Sequence, residues 1–171
     1  MLELGGSYGG AYLLRRGLYM PWELERVMDA DMARVGFREL DPILRLNHLT
    51  SCVDEPRRKV ALLELTQYMR NQLLRDTDWA GMAHSLEIRV PLVDKNVLTY
   101  LYKNSYILNT KPYLKKDLAN CAYPPLLPDI LSRSKTGFTV PVKAWFMKKN
   151  TDKKIQHGQR DWQNYVMANF L

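Results

Sequence analysis

Glu55-Pro56-Arg57-Arg58-Lys59-Val60-Ala61-Leu62-Leu63-Glu64-Leu65-Thr66-Gln67-Tyr68-Met69-Arg70-Asn71-Gln72-Leu73-Leu74-Arg75 is the clearest periodic stretch of the sequence. Leu62, Leu65, Met69 and Leu73 recur at spacings of 3, 4 and 4, which puts them on one face of an α-helix. A stripe of that kind must pack against something. Asp54-Glu55-Pro56 supplies the start signal, because proline fits the first helical turn, where its missing N–H costs nothing. The stretch predicts a helix over about 55–75. Asp76 to His84 reads as a second, shorter helix, and Ser85 to Val90 as an irregular or extended passage.

Working outward, helical signals outnumber strand signals. Tyr12, Leu13, Leu14 and Leu18 fall on helical spacing, and Pro21 stands where a short amphipathic turn begins. Asp31 is placed to cap a helix that Gly36 would end, and Asp41-Pro42 is another start signal. Asp94 can cap a helix carrying Val97, Leu98 and Leu101, and Thr110 one carrying Leu114 and Leu118. The prolines at 124, 125 and 128 close that region. Ile130–Leu131 make one turn before the loop from Ser132 to Val140. Pro141 opens a helix with Trp145 and Phe146, and a last helix spans Trp162 to Phe170. The fold class is mainly α, with the loops carrying the chemistry.

The chain has 171 residues, 46% hydrophobic and 25% charged, which describes one globular domain over 1–171 rather than a disordered segment. Cys52 and Cys121 form no disulfide framework, and no apolar run approaches the ~18 residues of a membrane span. These features suit a cytoplasmic protein without a membrane partner. The net charge is +7, of which the stretch from Arg133 onward contributes +6. A basic end implies an anionic partner such as nucleotide phosphates or nucleic acid, although a solvated lysine face is the commoner origin.

Motif searches exclude several chemistries. His48, His84 and His157 lack the spacing of a zinc site, and no metal-ligating set is specified; His84 reads as a hydrogen-bonded structural histidine. No Gly-x-Ser-x-Gly elbow is present. Gly5-Gly6-Ser7-Tyr8-Gly9-Gly10 follows no buried strand and lacks a Gly-Lys-Ser/Thr, so it reads as a flexible lead-in rather than a phosphate cradle.

Two segments are informative. In Asp78-Trp79-Ala80-Gly81-Met82-Ala83-His84-Ser85-Leu86-Glu87-Ile88-Arg89-Val90-Pro91-Leu92-Val93-Asp94, Glu87 and Arg89 alternate with Leu86, Ile88 and Val90. An extended passage with the apolar residues turned inward would show both charges on its other face. The charges are then either an internal ion pair or a polar wall of a cleft. In Arg133-Ser134-Lys135-Thr136-Gly137-Phe138-Thr139-Val140-Pro141-Val142, Lys135 shares a short loop with Gly137. A lysine on a loop that opens onto a helix suits phosphate or a developing pyrophosphate charge; taken alone, it reads as an exposed loop lysine.

Together the segments resemble the C-terminal region of glutamine-hydrolysing asparagine synthases. Met82 to Asp94 matches that family's Met-Ala-His-Ser-Leu-Glu-x-Arg-Val-Pro run, and Leu114-Lys115-Lys116-Asp117-Leu118, Leu127-Pro128-Asp129-Ile130-Leu131 and the Lys135 loop follow in order. Leu13 to Leu24 is similar to a helical insert of some bacterial members. The resemblance implies the helical C-terminal portion of an α/β adenine-nucleotide α-hydrolase-like (PP-loop ATP pyrophosphatase) synthetase domain. It implies ATP and Mg²⁺, adenylation of the aspartate side chain, and attack by ammonia released from glutamine, giving asparagine, AMP and pyrophosphate. By the same carry-over Lys135 and Arg89 are catalytic, and Glu87, Asp78 and Gly137 line the ATP-site wall.

The chain departs from the family in places. The family usually has Asp-Arg where Asp78-Trp79 stands. Neither the Ser-Gly-Gly-x-Asp-Ser pyrophosphate loop nor the Ser-Gly-x-Gly-x-Asp-Glu loop occurs in the 171 residues, and Leu2 follows Met1 where the glutaminase carries its cysteine. The expectation is an inactive chain whose partners are the absent glutaminase and nucleotide-binding segments. The other readings are a β-lactam synthetase-like or lasso-peptide cyclase-like enzyme, or a non-catalytic basic helical binding module. Nucleic acid fits poorly, since no stacking platform interleaves the basic residues.

Overall fold

The computed structural model describes residues 2–104, 115–134, 141, 144 and 158–170, and among them there are helices and turns but no strand. The chain divides into two compact units, one of Met1–Leu86 with Pro141–Leu171 and one of Glu87–Val140.

In the first unit, α1 (Leu2–Gly5) and α2 (Tyr8–Arg16) occupy the glycine-rich opening. Ser7 caps α2, its hydroxyl accepting from Gly10 N–H at 3.1 Å. The opening is therefore helical, not a flexible lead-in. Two of its glycines are there for packing: Gly9 and Gly10 are buried, and Gly9 N–H donates to Asn47 Oδ1 at 2.8 Å, whereas Gly5 and Gly6 are exposed. A Cβ on Gly9 would lie 2.7 Å from the Ile43 carbonyl oxygen and 2.9 Å from Leu46 Cβ. Only glycine allows α2 to approach that closely.

Ile43, Leu46 and Asn47 lie on α4 (Pro42–Thr50), which follows α3 (Ala30–Leu40) with one residue between. That residue, Asp41, adopts φ 35° and ψ 63°. Aspartate tolerates this left-handed geometry better than most side chains. Asp41 N–H closes α3 on the Phe37 carbonyl, and its carboxylate accepts from Leu44 N–H at 3.2 Å to open α4. The Asp41-Pro42 start is as the sequence indicates. The α3 cap, however, is Asp29 rather than Asp31, and Gly36 sits within the helix instead of ending it.

Glu55 caps α5 (Pro56–Leu63) through its carboxylate to Arg57 and Arg58 N–H. The helix continues as a π-helix over Glu64–Leu74 and returns to α-helix as α6 (Arg75–Met82). The two helices expected on either side of residue 75 are thus one. Winding at i→i+5 changes which residues share a face, and this displaces the stripe read at 3.6 residues per turn. Leu63, outside that stripe, is 1% exposed, whereas Leu73, inside it, is 39% exposed.

The last helix, α10 (Gly158–Phe170), is fastened to residues 18–26 of the same unit. Arg160 donates to both Glu23 carboxylate oxygens at 2.9 and 3.0 Å and to the Leu18 carbonyl at 3.0 Å. The Tyr19 hydroxyl donates to Asn164 Oδ1 at 3.0 Å. The Arg160 guanidinium also lies 4.8 Å from the centre of the Tyr19 ring.

The second unit holds α7 (Lys95–Lys103), α8 (Lys115–Asn120) and α9 (Pro128–Ser132). Asp94 caps α7 as the sequence indicates, accepting from Asn96 N–H at 2.7 Å. Thr110 and most of the helix expected after Pro141 lie outside the described residues. Among the described residues the buried hydrophobics are Ala33 and Leu63, both in the first unit. On α7, Val97 and Leu101 remain exposed. Among the described residues no helix is long and apolar enough to cross a membrane.

Candidate active site

The Asp78–Asp94 segment begins on α6 and leaves it through a defined helix end. Ser85 N–H donates to the Met82 carbonyl at 3.0 Å, and Leu86 N–H to the Gly81 carbonyl at 2.9 Å. This pair is a Schellman motif with Ser85 at the left-handed position, φ 57°. Glycine usually fills that position, so the start of the segment carries local strain. The geometry fixes the direction in which the chain leaves α6. Asp78 is exposed on α6 in the first unit, and the neighbouring Trp79 ring lies 5.4 Å from the Arg75 guanidinium.

Glu87 and Arg89 belong to the second unit. Arg89 Nε donates to Glu87 Oε1 at 2.8 Å, and Arg89 Nη2 donates to Glu87 Oε2 at 3.3 Å. The charges share one side of the chain, as alternation requires. Their side chains are 82% and 70% exposed for Arg89 and Glu87 respectively, so the pair is not internal. An exposed pair of this kind contributes at most about 1 kcal/mol; both groups are free to exchange partners. Leu86, Ile88 and Val90 are not turned inward either, being 61%, 51% and 42% exposed. Among the described residues nothing covers them. Lys135 and Gly137 lie outside the described residues.

His84 is exposed, and its ring makes no hydrogen bond among the described residues. It is not the hydrogen-bonded structural histidine expected from the sequence. Among the described residues no group of three His, Cys, Asp or Glu side chains could hold a metal ion.

A polar cluster missed in the sequence lies at the start of the π-helix. Arg16 Nε and Nη2 donate to the two Glu64 oxygens at 3.2 and 2.5 Å, and the guanidinium lies 3.8 Å from the centre of the Tyr68 ring. Glu64 raises the Arg16 pKa, chiefly through that hydrogen bond. The Tyr12 hydroxyl is buried beside them without a hydrogen-bond partner of good geometry among the described residues. Its pKa is raised, first by burial and then by the Glu64 charge. Arg16 and Glu64 are 48 positions apart, and neither helical spacing nor a motif connects them. Arg160 and Glu23 escaped notice for the same reason.

Residues 13–170 match the family model described as asparagine synthase. The chain belongs to the asparagine synthase family. Over 107 residues it is 34% identical to asparagine synthetase [glutamine-hydrolyzing] 1 of Bacillus subtilis, covering 60% of this chain and 17% of that protein. Over 106 residues it is 28% identical to a putative asparagine synthetase [glutamine-hydrolyzing] of Mycobacterium tuberculosis (strain ATCC 25618 / H37Rv), covering 61% of this chain and 14% of that protein. The chain therefore matches only about a sixth of the first relative's length and about a seventh of the second's. No solved structure matches. The mainly helical architecture agrees with a helical part of a PP-loop synthetase domain.

Proposed function

We propose that this chain is the C-terminal helical part of an asparagine synthase synthetase domain and forms one wall of its ATP–aspartate cleft. The family match over residues 13–170 carries this reading. The proposed substrates of the complete enzyme are ATP, aspartate and ammonia derived from glutamine. The aspartate side-chain carboxylate attacks the α-phosphorus of ATP, a P–O bond forms, and pyrophosphate leaves. Ammonia then attacks the acyl carbon and loses a proton, and AMP departs with the former carboxylate oxygen. Adenylation turns a poor leaving group into a good one.

Negative charge builds on the α-phosphate and departing pyrophosphate, where a fixed cation gives its largest stabilisation. Lys135 is proposed for that role, and Gly137 as a residue of the ATP-site wall. Arg89 is the second cation, its exposed pairing with Glu87 leaving it able to turn to a phosphate, and Glu87 is proposed as a wall residue beside it. Asp78, on α6 of the first unit, is proposed separately as a residue lining ATP in the complete enzyme. Mg²⁺ would enter with the ATP phosphates and screen their charge; among the described residues no group of three His, Cys, Asp or Glu side chains could hold it.

The reading is tested in a complete synthetase that carries residues 13–170. Lys135→Ala lowers the rate of AMP formation by about 100-fold or more, the scale for loss of one charge-stabilising group. Near-normal turnover by a well-folded Lys135→Ala enzyme would remove Lys135 from the mechanism.

A further inference from the structure

The π winding of Glu64–Leu74 has no sufficient cause in its own sequence. The segment contains neither glycine nor proline, and its leucines, glutamines, methionine and arginine favour the ordinary α-helix. Thr66 Oγ1 donates to the Leu62 carbonyl at 2.6 Å, which occupies an acceptor of the preceding turn. That bond loosens the ladder at its start but does not select a wider one. A winding that is rare and locally unfavoured is held from outside the segment.

Arg16, the last residue of α2, grips the segment at two points. Its Nε and Nη2 donate to the two Glu64 oxygens at 3.2 and 2.5 Å. Its guanidinium also lies 3.8 Å from the centre of the Tyr68 ring, about one turn further along. Each residue turns about 100° in an α-helix but about 82° at i→i+5. A return to α winding therefore swings Tyr68 by about 70° relative to Glu64, off the guanidinium. The difference accumulates along the helix. Over Glu64–Leu74 it comes to about 200°, so α6 would present its opposite side.

We infer that Arg16 is a positioning residue of the synthetase: by holding Glu64 and Tyr68 together it keeps the π winding, and so sets the side of the helix on which Asp78 stands. That role rests on the reading of Asp78 as a residue lining ATP. The π segment runs into α6 without a break, so winding at its start reaches Asp78 as rotation. The Schellman end at Ser85 closes the same helix and turns with it. The i→i+4 and i→i+5 ladders are two discrete arrangements, which makes the segment a two-state element rather than a continuously deformable one. Arg16 touches no reacting atom in this scheme and acts through the helix.

Two measurements test it. In the ²H,¹³C,¹⁵N-labelled 171-residue chain, scalar couplings across hydrogen bonds identify the carbonyl that each N–H uses. The N–H groups of residues 69–74 should couple to carbonyls five residues back, and in Arg16→Gln to carbonyls four residues back. The Arg16–Glu64 pair is partly exposed, so the chain stays folded without it. In the complete synthetase that carries residues 13–170, Arg16→Gln should raise KM for ATP by about tenfold and leave KM for ammonium unchanged. Arg16→Lys, which keeps the charge but not the planar fork, should fall between. Asp78→Asn separates the two roles: an unchanged KM for ATP in that variant removes Asp78 from the site, whatever the ladder does. Carbonyls four residues back in the native chain, carbonyls five back in Arg16→Gln, or a changed ladder with an unchanged KM for ATP would each overturn the role of Arg16.

Discussion

Replacing Gly9 by alanine tests the close approach of α2 and α4. Alanine is favoured over glycine within a helix by about 1 kcal/mol. Against that, the new Cβ would lie 2.7 Å from the Ile43 carbonyl oxygen, 2.8 Å from Asn47 Oδ1 and 2.9 Å from Leu46 Cβ. One of these neighbours is backbone and another is fixed to it, so α4 must move away. Overpacking of this sort costs about 1–3 kcal/mol, and weakening the Gly9–Asn47 hydrogen bond adds about 1 kcal/mol. The net result is destabilisation by roughly 1–3 kcal/mol. Gly36→Ala is the matched control, because its Cβ meets nothing within 4 Å, and α3 should gain about 1 kcal/mol. Followed by circular dichroism at the helical band, Gly9→Ala should lower Tm by at least ~2–4 °C and Gly36→Ala should raise it by ~2–4 °C. Equal increases for both variants would refute the packing account of the glycine-rich opening.

Three further outcomes are expected. Ser85→Gly relieves the left-handed strain at the end of α6 and should stabilise the chain by about 1 kcal/mol in denaturant unfolding; destabilisation would contradict the Schellman geometry. Leu63→Ala should cost about 2–5 kcal/mol and the exposed Leu73→Ala under about 1 kcal/mol, and the reverse order in urea midpoints would restore the simple α-helical stripe. Glu23 has its pKa lowered by the Arg160 hydrogen bond and then by Met20 N–H. Its contribution is therefore present above the ordinary carboxylate pKa and is lost as pH falls through the depressed value. The signals of the Arg160 Nη–H groups, which donate to Glu23, should persist in a ¹H–¹⁵N spectrum through neutral pH and disappear only in that acid range. Their loss near neutrality would show that Glu23 does not hold α10.

Much of the helical plan was legible because caps and prolines act locally. Asp41-Pro42, Glu55-Pro56 and Asp94 each mark a helix start from within a few residues. The end of α3 was not legible, since Gly36 is tolerated inside a helix when nothing presses on it. Nor was the π-helical winding, which alters the period on which the apolar stripe was read. At the candidate site, alternation correctly put Glu87 and Arg89 on one side. The direction of Leu86, Ile88 and Val90 could not follow from alternation, because an inward face needs something to cover it. The Arg16–Glu64 and Arg160–Glu23 pairs depend on tertiary approach, which local sequence does not encode.

The most direct test of the central claim uses aspartate labelled with ¹⁸O in its side-chain carboxylate, with MgATP and ammonium. The chain is assayed alone and joined to the upstream synthetase half of the Bacillus subtilis relative. The proposed division of the domain predicts no AMP from the chain alone, and AMP carrying one ¹⁸O, with pyrophosphate and asparagine, from the joined protein. AMP from the chain alone, or unlabelled AMP from the joined protein, would contradict it.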